Sequence, residues 1–403
     1  MSVFVLLAAH ILSMLGFATF AALLPELRDA WRLTNTEAGL IGSAFFAGYI
    51  ATVAYWTALT DRVDGRRVYL AGGVLGAAGS LGFGLLAQGL GSAMLFQLLL
   101  GAGMAATYMP GLRLLSDRVS GPAQSRAIAF YTAFFGIGTG LSLVVAGASA
   151  AAWGWRYAFV LSAPGPALAA ALVLLGLERL APPHEGARTF HWETLFPVSA
   201  WRRVLAIRAA AGYTLGYAVH CVELFASRAW MVAFLAFATG LHGDGSFPWG
   251  AAAIAAVVNV AAVPASILGN EIALRIGRRR WILVAMLASG LFGIALALAA
   301  PLHWAIVLAL LAAHSMLIMA DSGTLTAGLV ASAPPALRGA AMGFYSLVGF
   351  GGGMVGPTLF GVALDVAGGA ERVSAWGWAY AAAGAGCLAA PFAVRLFGGR
   401  RAA

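Results

Sequence analysis

Six polar side chains share one side of a predicted helix in the apolar stretch 206–238. At 100° per residue they fall within about 140° of the helix surface. They are Tyr213, Tyr217, His220, Glu223, Ser227 and Arg228. A face this polar is expected to line a water-filled cavity. Glu223 could carry a proton and Arg228 could anchor an anion; the alternative is a structural network of ion pairs or hydrogen bonds between helices.

A second polar stripe lies in the stretch 303–326. His314 and Asp321 are seven residues apart, which returns to within about 20° on a helix, and His303 lies on the same stripe. The pattern is equally compatible with a functional and a structural role for Asp321. A hydrogen-bonded core histidine is the favoured interpretation of His314, and His303 is expected at the membrane surface.

The first half of the chain offers neutral polar and aromatic groups on the comparable stretches. His10 lies in the stretch 2–24 and Tyr108 in the stretch 92–112. In the second half of the chain, Asn259, in the stretch 248–268, is a weaker candidate. The buried carboxylates are therefore expected in the second half of the chain.

The elements that hold these residues are predicted to cross a membrane. Of 403 residues, 61% are apolar and only 10% are charged. Soluble domains have about 25% charged residues, so the composition excludes a soluble enzyme, a disordered tail protein and a nucleic-acid binder with a membrane anchor. Twelve apolar runs reach the roughly 20 residues that a spanning helix needs. They are 2–24, 38–58, 68–89, 92–112, 124–149, 156–177, 206–238, 248–268, 281–300, 303–326, 338–366 and 375–397.

Arginine placement predicts the orientation of these spans. All 24 basic residues are arginine and the net charge is +9. With both termini in the cytoplasm, nineteen arginines fall in cytoplasmic segments and four in outside segments, as the positive-inside rule requires. The basic charge then faces anionic lipid head groups. A polar segment, 179–204, divides the chain into two six-helix bundles, 1–178 and 205–403, and we read this segment as a cytoplasmic linker.

Several short motifs recur at a nearly constant offset. The segment 61–67 is similar in sequence to 275–280, the glycine-rich segment 136–140 to 349–353, and the segment 152–158 to 375–381. In order and together they indicate two structurally related halves. Parallel six-span repeats are an architecture of transporters, with the substrate bound near the midplane.

The loop after the second span resembles a motif of the major facilitator superfamily. The family pattern Gly-x-x-x-Asp-Arg-x-Gly-Arg-Arg is similar to the segment 57–67, although Thr57 replaces the first glycine and Asp64 is an additional residue. The resemblance covers the whole chain. It implies an all-α membrane protein with 12 transmembrane helices in two pseudo-symmetric six-helix bundles. Helices one, four, seven and ten would line a central cavity.

The resemblance also implies a conformational latch at this loop. Asp61 could cap a helix N-terminus or pair with Arg113 near the end of the fourth span. Arg62 and Arg66 would bind lipid phosphates or helix C-termini. The alternative is simple anchoring of the cytoplasmic face by positive charge.

The function expected from these observations is secondary active transport of a small molecule by alternating access. We expect proton coupling, a small organic anion as substrate, and a monomer in the inner membrane with no cofactor, no metal and no nucleic acid. The alternative is a proton-driven drug or metabolite efflux antiporter. A membrane sensor and an intramembrane enzyme are remote alternatives, since no H-E-x-x-H or G-x-S-x-G motif occurs. The sequence leaves open whether Arg228 binds substrate or pairs with Glu223.

Overall fold

The described part of the chain is helical throughout. The structure is a computed structural model that describes residues 2–120, 122–181, 192–243 and 246–390. These residues form α-helices, one 3₁₀ turn and connecting turns, and no β-strand occurs among them. In chain order, the first ten helices are α1 Ser2–Ser13, α2 Thr19–Trp31, α3 Asn35–Leu59, α4 Gly65–Leu86, α5 Leu90–Ser116, α6 Pro122–Trp153, α7 Trp155–Ser162, α8 Pro164–Gly176, α9 Trp192–Leu195 and α10 Val198–Leu205.

The second half of the chain begins with the longest helix. In order, its helices are α11 Arg208–His242, α12 Ala251–Ala261, α13 Val263–Ile276, α14 Arg278–Leu298, α15 Trp304–Ala320, α16 Ser322–Ser332, α17 Arg338–Val366 and α18 Val373–Leu388. The 3₁₀ turn Pro335–Leu337 leads directly into α17.

Ten helical stretches within the described residues are long and apolar enough to cross a membrane. They correspond to ten of the twelve predicted spans, which confirms a polytopic helical membrane protein. The first predicted span, 2–24, is divided into α1 and α2. The twelfth, 375–397, is represented by α18, and its last seven residues lie outside the described part.

Several predicted single spans contain a break at mid-length. Pro164 starts α8 directly after α7, and Pro264 lies in the first turn of α13 directly after α12. Proline lacks an N–H and cannot continue the preceding helix. The breaks at 14–18 and at Asp321 contain no proline, and other helices satisfy the backbone groups that they release.

Side chains from neighbouring helices repair these two breaks. Between α1 and α2, Ser142 Oγ donates to the carbonyl oxygen of Leu15 (2.7 Å) and accepts from the N–H of Ala18 (3.0 Å). Between α15 and α16, the indole Nε1–H of Trp281 donates to the carbonyl oxygen of Ala320 (2.9 Å). Discontinuous helices at membrane depth are tolerated where such partners exist, and in transporters they often carry the binding site.

The chain forms two compact units. Unit 1 comprises Met1–Leu33, Leu40–Phe196 and Gly250–Val260, and unit 2 comprises Thr34–Gly39, Pro197–Trp249 and Ala261–Ala403. The first five residues of α3 therefore belong to unit 2 and the rest of that helix to unit 1. The sequence-based division into bundles 1–178 and 205–403 stays a prediction.

Each unit has its own apolar core. In unit 1 a cluster from α1, α4, α5, α6 and α8 surrounds the fully buried rings of Tyr69 and Tyr131. In unit 2 a cluster from α10, α11, α14, α16, α17 and α18 includes Met286, Leu325 and Tyr345. The core of unit 2 fixes the rotation of α11 and thereby holds its polar residues inside the unit.

Candidate functional site

The buried polar residues of unit 2 form a network across four helical segments. α11 contributes His220, Glu223 and Ser227, α14 contributes Ser289, α15 contributes His314, and Asp321 lies between α15 and α16. Each of these side chains is at most 3% exposed. Polar groups buried this completely are costly unless they are paired, so their pairing decides what the site can do.

His220 and Asp321 form a buried pair. Nδ1 of His220 lies 2.7 Å from Oδ1 of Asp321, and both side chains are 2% exposed. The ring N–H is not directed along this line, because Oδ1 receives no well-aligned hydrogen bond. The contact is therefore one of charge and proximity. Asp321 is the residue at which α15 ends and α16 begins.

Two tyrosines pack beside this pair. The ring of Tyr217 stacks against His220 (centroids 5.6 Å apart) and against Tyr345 (3.7 Å). Tyr345 OH and Thr326 Oγ1 are 3.1 Å apart and hydrogen-bonded. The stacked rings restrict the orientation of the His220 imidazole.

Glu223 pairs with a serine of α14. Ser289 Oγ lies 2.7 Å from Oε2 of Glu223 and also 3.0 Å from the carbonyl oxygen of Met286. A hydroxyl carries one proton, so it donates to only one of these two acceptors. If it donates to Glu223 the carboxylate is ionised, and if it donates to Met286 a protonated Glu223 donates to Oγ. The same heavy-atom positions therefore accommodate both protonation states of Glu223.

His314 is fully hydrogen-bonded as a neutral ring. Its Nδ1 lies 3.0 Å from the carbonyl oxygen of Ser289, which only accepts, so Nδ1 donates. Its Nε2 lies 3.1 Å from Ser227 Oγ, which donates to it. His314 thus joins α11, α14 and α15, and this geometry supports a structural role.

We expect Ser289→Ala to destabilise the protein by about 1–3 kcal/mol, because it removes a hydroxyl that hydrogen-bonds to the buried Glu223 carboxyl. Thermal unfolding of the detergent-solubilised protein measures this effect. Ser315→Ala is the matched control, since Ser315 is also buried but its Oγ has no partner among the described residues. Equal losses in the two variants would contradict the Glu223–Ser289 bond.

Arg228 does not pair with Glu223. Its Nη2 donates to the thioether sulfur of Met319 at 3.6 Å, a weak acceptor, and no described carboxylate lies within 4.0 Å of it. The side chain is half-buried. A guanidinium in this position has unused donors in a planar fork that matches a carboxylate or phosphate.

The other predicted cavity residues lie in several environments. In unit 1, His10 is 1% exposed, stacks on Tyr131 (4.3 Å) and lies beside Tyr108 (5.3 Å). Neither ring nitrogen of His10 has a hydrogen-bond partner in the described part of the chain. Asn259, also in unit 1, donates to its own helix at Ala255 O (2.8 Å).

Tyr213 lies away from the buried polar network. It belongs to the apolar cluster of unit 2 and packs over Gly328, where an added Cβ would overlap its ring. Its contacts are those of a packing residue.

The loop after α3 makes the ion pair proposed for the latch. Arg113 Nη1 donates to Asp61 Oδ1 (2.6 Å) and to Thr60 Oγ1 (3.0 Å). Arg66 pairs with Asp64 (2.7 Å) and donates to the carbonyl oxygen of Leu177 at the end of α8 (2.7 Å). Arg62 lies in the turn itself, where its N–H donates to Leu59 O (3.0 Å).

The additional Asp64 caps α4. Its side chain accepts from the N–H of Arg66 (3.0 Å). Burial alone raises the pKa of this carboxyl, but hydrogen bonds from the Arg66 side chain and backbone, and the charges of Arg66 and Arg179, outweigh burial and hold its pKa below the usual value. The extra residue of the motif thus remains an ionised cap at neutral pH.

Sequence reasoning missed three partners in unit 2. Ser289 and Tyr345 are single polar residues in apolar stretches, and only their position opposite α11 makes them relevant. Asp365 lies at the end of α17 and accepts hydrogen bonds from Asn35 and Thr36. A carboxylate near the end of an apolar span was the available signal for Asp365.

Comparison with protein families agrees with this architecture. The family model described as Major Facilitator Superfamily matches residues 6–357. The chain belongs to this family. A major facilitator protein is a multi-pass integral membrane protein, and the transport, membrane and fold expectations from the sequence are confirmed at this level. A comparison with curated proteins finds no match.

Solved major facilitator structures share the fold. A bacterial homolog of the human lysosomal transporter Spinster, inward-facing and unoccupied, has a TM-score of 0.76 at 16% identity, covering 98% of this chain and 94% of that one. A variant of the nucleoside transporter NupG has a TM-score of 0.76 at 16% identity, covering 98% of this chain and 100% of that one. A variant of the peptide transporter POT in complex with alafosfalin has a TM-score of 0.74 at 15% sequence identity, covering 98% of this chain and 96% of that one. At these identities the likeness concerns the fold.

Proposed function

We propose that this major facilitator protein is a proton-coupled secondary active transporter of a small organic anion, working by alternating access. The observation that carries the proposal is the buried pair of His220 and Asp321 at the break between α15 and α16. An acid and a base in contact, away from bulk water, can exchange a proton as their surroundings change. Glu223 lies one helical turn from His220 and tolerates both protonation states in its contact with Ser289.

Arg228 supports an anionic substrate. Its guanidinium has a weak protein partner, Met319, while Glu223 and Asp321 contact other side chains. A substrate carboxylate would supply the two charge-assisted hydrogen bonds that the protein does not. We propose His10 and Tyr108 as contacts from the other half of the chain.

Membrane placement follows from charge. We propose that the protein is a monomer in the inner membrane, with both termini in the cytoplasm and bundles 1–178 and 205–403. The arginine distribution supports this orientation. A cysteine introduced beside the exposed Arg280 should then react with a membrane-impermeant maleimide only after cells are opened.

The Asp61–Arg113 pair would hold one access state. Its side chains are 36% and 28% exposed, so its contribution to stability is small, roughly 0–1 kcal/mol. We expect Asp61→Asn to leave thermal stability nearly unchanged and to lower transport turnover. Asp117→Asn is the control, because Asp117 lies farther from Arg113 (3.6 Å) and is more exposed. Unchanged turnover in Asp61→Asn would argue against the latch.

A binding panel tests the proposal directly. Thermal unfolding of the purified protein is followed with small carboxylates and with their methyl esters and amides. A bound carboxylate at 100 times its Kd should add about 2.7 kcal/mol of stability, and the neutral analogues should add much less. Its uptake into proteoliposomes should then follow an imposed proton gradient; stabilisation by neutral hydrophobic compounds alone would instead favour the efflux function.

A further inference from the structure

One carboxylate at the end of α17 makes four hydrogen bonds to the start of α3. Oδ1 of Asp365 accepts from the N–H of Asn35 (3.2 Å) and from its Nδ2 (2.7 Å). Oδ2 accepts from the N–H of Thr36 (2.8 Å) and from its Oγ1 (2.6 Å). The partners are about 330 residues apart in the sequence. Both carboxylate oxygens of Asp365 thus have two donors each.

Helix α3 has a local cap in addition to Asp365. Thr34 and Glu37 form a local capping box: the N–H and Oγ1 of Thr34 donate to Glu37 Oε2 (2.8 and 2.9 Å), and the N–H of Glu37 donates to Thr34 Oγ1 (3.1 Å). This arrangement satisfies the N–H groups of Thr34 and Glu37, while Asp365 accepts from those of Asn35 and Thr36. Asp365 adds a second carboxylate at the positive end of the same helix. It thus both completes the cap of α3 and joins α3 to α17.

The backbones of the two helices touch at the same place. A Cβ on Gly361 would overlap the carbonyl oxygen of Asn35, and a Cβ on Gly39 would overlap that of Pro357. Glycine permits this close approach. The contact between α3 and α17 thus combines a close approach of the two backbones with the hydrogen bonds that the Asp365 carboxylate accepts from Asn35 and Thr36.

The boundary between the two units falls within α3. Residues 34–39 belong to unit 2, and the helix continues in unit 1 from Leu40. Under the proposed function, on which this inference rests, alternating access changes the contacts at the ends of such helices. We propose that Asp365 is a releasable tie that holds the first turn of α3 on α17 and controls how often this end opens. The arginine distribution assigns this end to the outside of the membrane.

Hydrogen exchange at the amides of Asn35 and Thr36 tests the tie without any substrate. Asp365→Ala should speed exchange at both amides by at least about tenfold, since hydrogen bonds to a charged group are lost. Gly361→Ala should act similarly by steric separation. Gly351→Ala, in the same helix with nothing within 4 Å of the added methyl, is the control. Unchanged exchange in Asp365→Ala would overturn the proposal.

A labelling experiment separates opening from local fraying. Ala38 lies in the first turn of α3 and is 1% exposed. In Ala38→Cys, labelling by an impermeant maleimide on intact cells should rise several-fold when Asp365→Ala is added, with the native protein as background. Glu37→Gln should not reproduce the rise. Faster exchange without faster labelling would overturn the tie, and neither readout depends on whether Asp321 couples protons.

Discussion

Asp321→Asn should abolish proton-driven accumulation of substrate while leaving substrate binding in place. Asparagine has nearly the same shape, and its side chain can keep the close packing against Nδ1 of His220, which lies 2.7 Å from Oδ1 of Asp321 in the native protein. It cannot take up or release a proton in the physiological range. The substitution therefore separates a structural role, which it preserves, from proton coupling, which it removes.

The measurement is uptake of the carboxylate found in the binding panel into proteoliposomes with an imposed proton gradient. Asp321→Asn should fall to the level of native protein treated with a protonophore, while exchange of labelled for unlabelled substrate continues. Glu271→Gln is the matched control, because Glu271 lies in the same unit on the exposed side of α13. Full accumulation by Asp321→Asn would refute coupling through the His220–Asp321 pair, and Glu223→Gln then tests the remaining carboxylate.

Arg228→Gln should weaken binding of the carboxylate by roughly tenfold to a hundredfold, because hydrogen bonds to charged groups contribute about 1.5–3 kcal/mol. Folding should change little, since Arg228 is half-buried and its described partner is the thioether of Met319. Titration of thermal stability with the carboxylate, and with its amide, measures the difference.

Two further variants make this result specific. Arg228→Lys should recover part of the affinity, because it restores the charge without the planar fork. Arg280→Gln removes an exposed arginine of α14 and should leave binding unchanged. If Arg228→Gln binds the carboxylate as tightly as the native protein, the anion is held elsewhere.

Much of the architecture could be read from the sequence because it depends on local properties. Hydropathy over about 20 residues identifies membrane helices, and a period of 3.6 residues places His220, Glu223 and Ser227 on one face of α11. The latch loop was recognisable from its motif, and Asp61 and Arg113 lie in contact.

Hydrogen bonds between side chains of different helices could not be predicted from the sequence in this way. Glu223 bonds to Ser289, and His314 bonds to Ser227 and the backbone of Ser289. Periodicity fixes the direction of a side chain relative to its own helix, but not the rotation and depth of the helix opposite. Those are set by the packing of whole helices.

The sequence by itself determined that this chain is a helical membrane protein of two related halves with a few ionisable residues at membrane depth. The tertiary structure decided which of those residues have strong hydrogen-bond partners at each polar atom, as His314 does, and which have only a weak described acceptor, as Arg228 does. It also decided that Asp365 meets α3. The physical reason is that desolvation and hydrogen bonding depend on neighbours in space, which the order of residues does not specify.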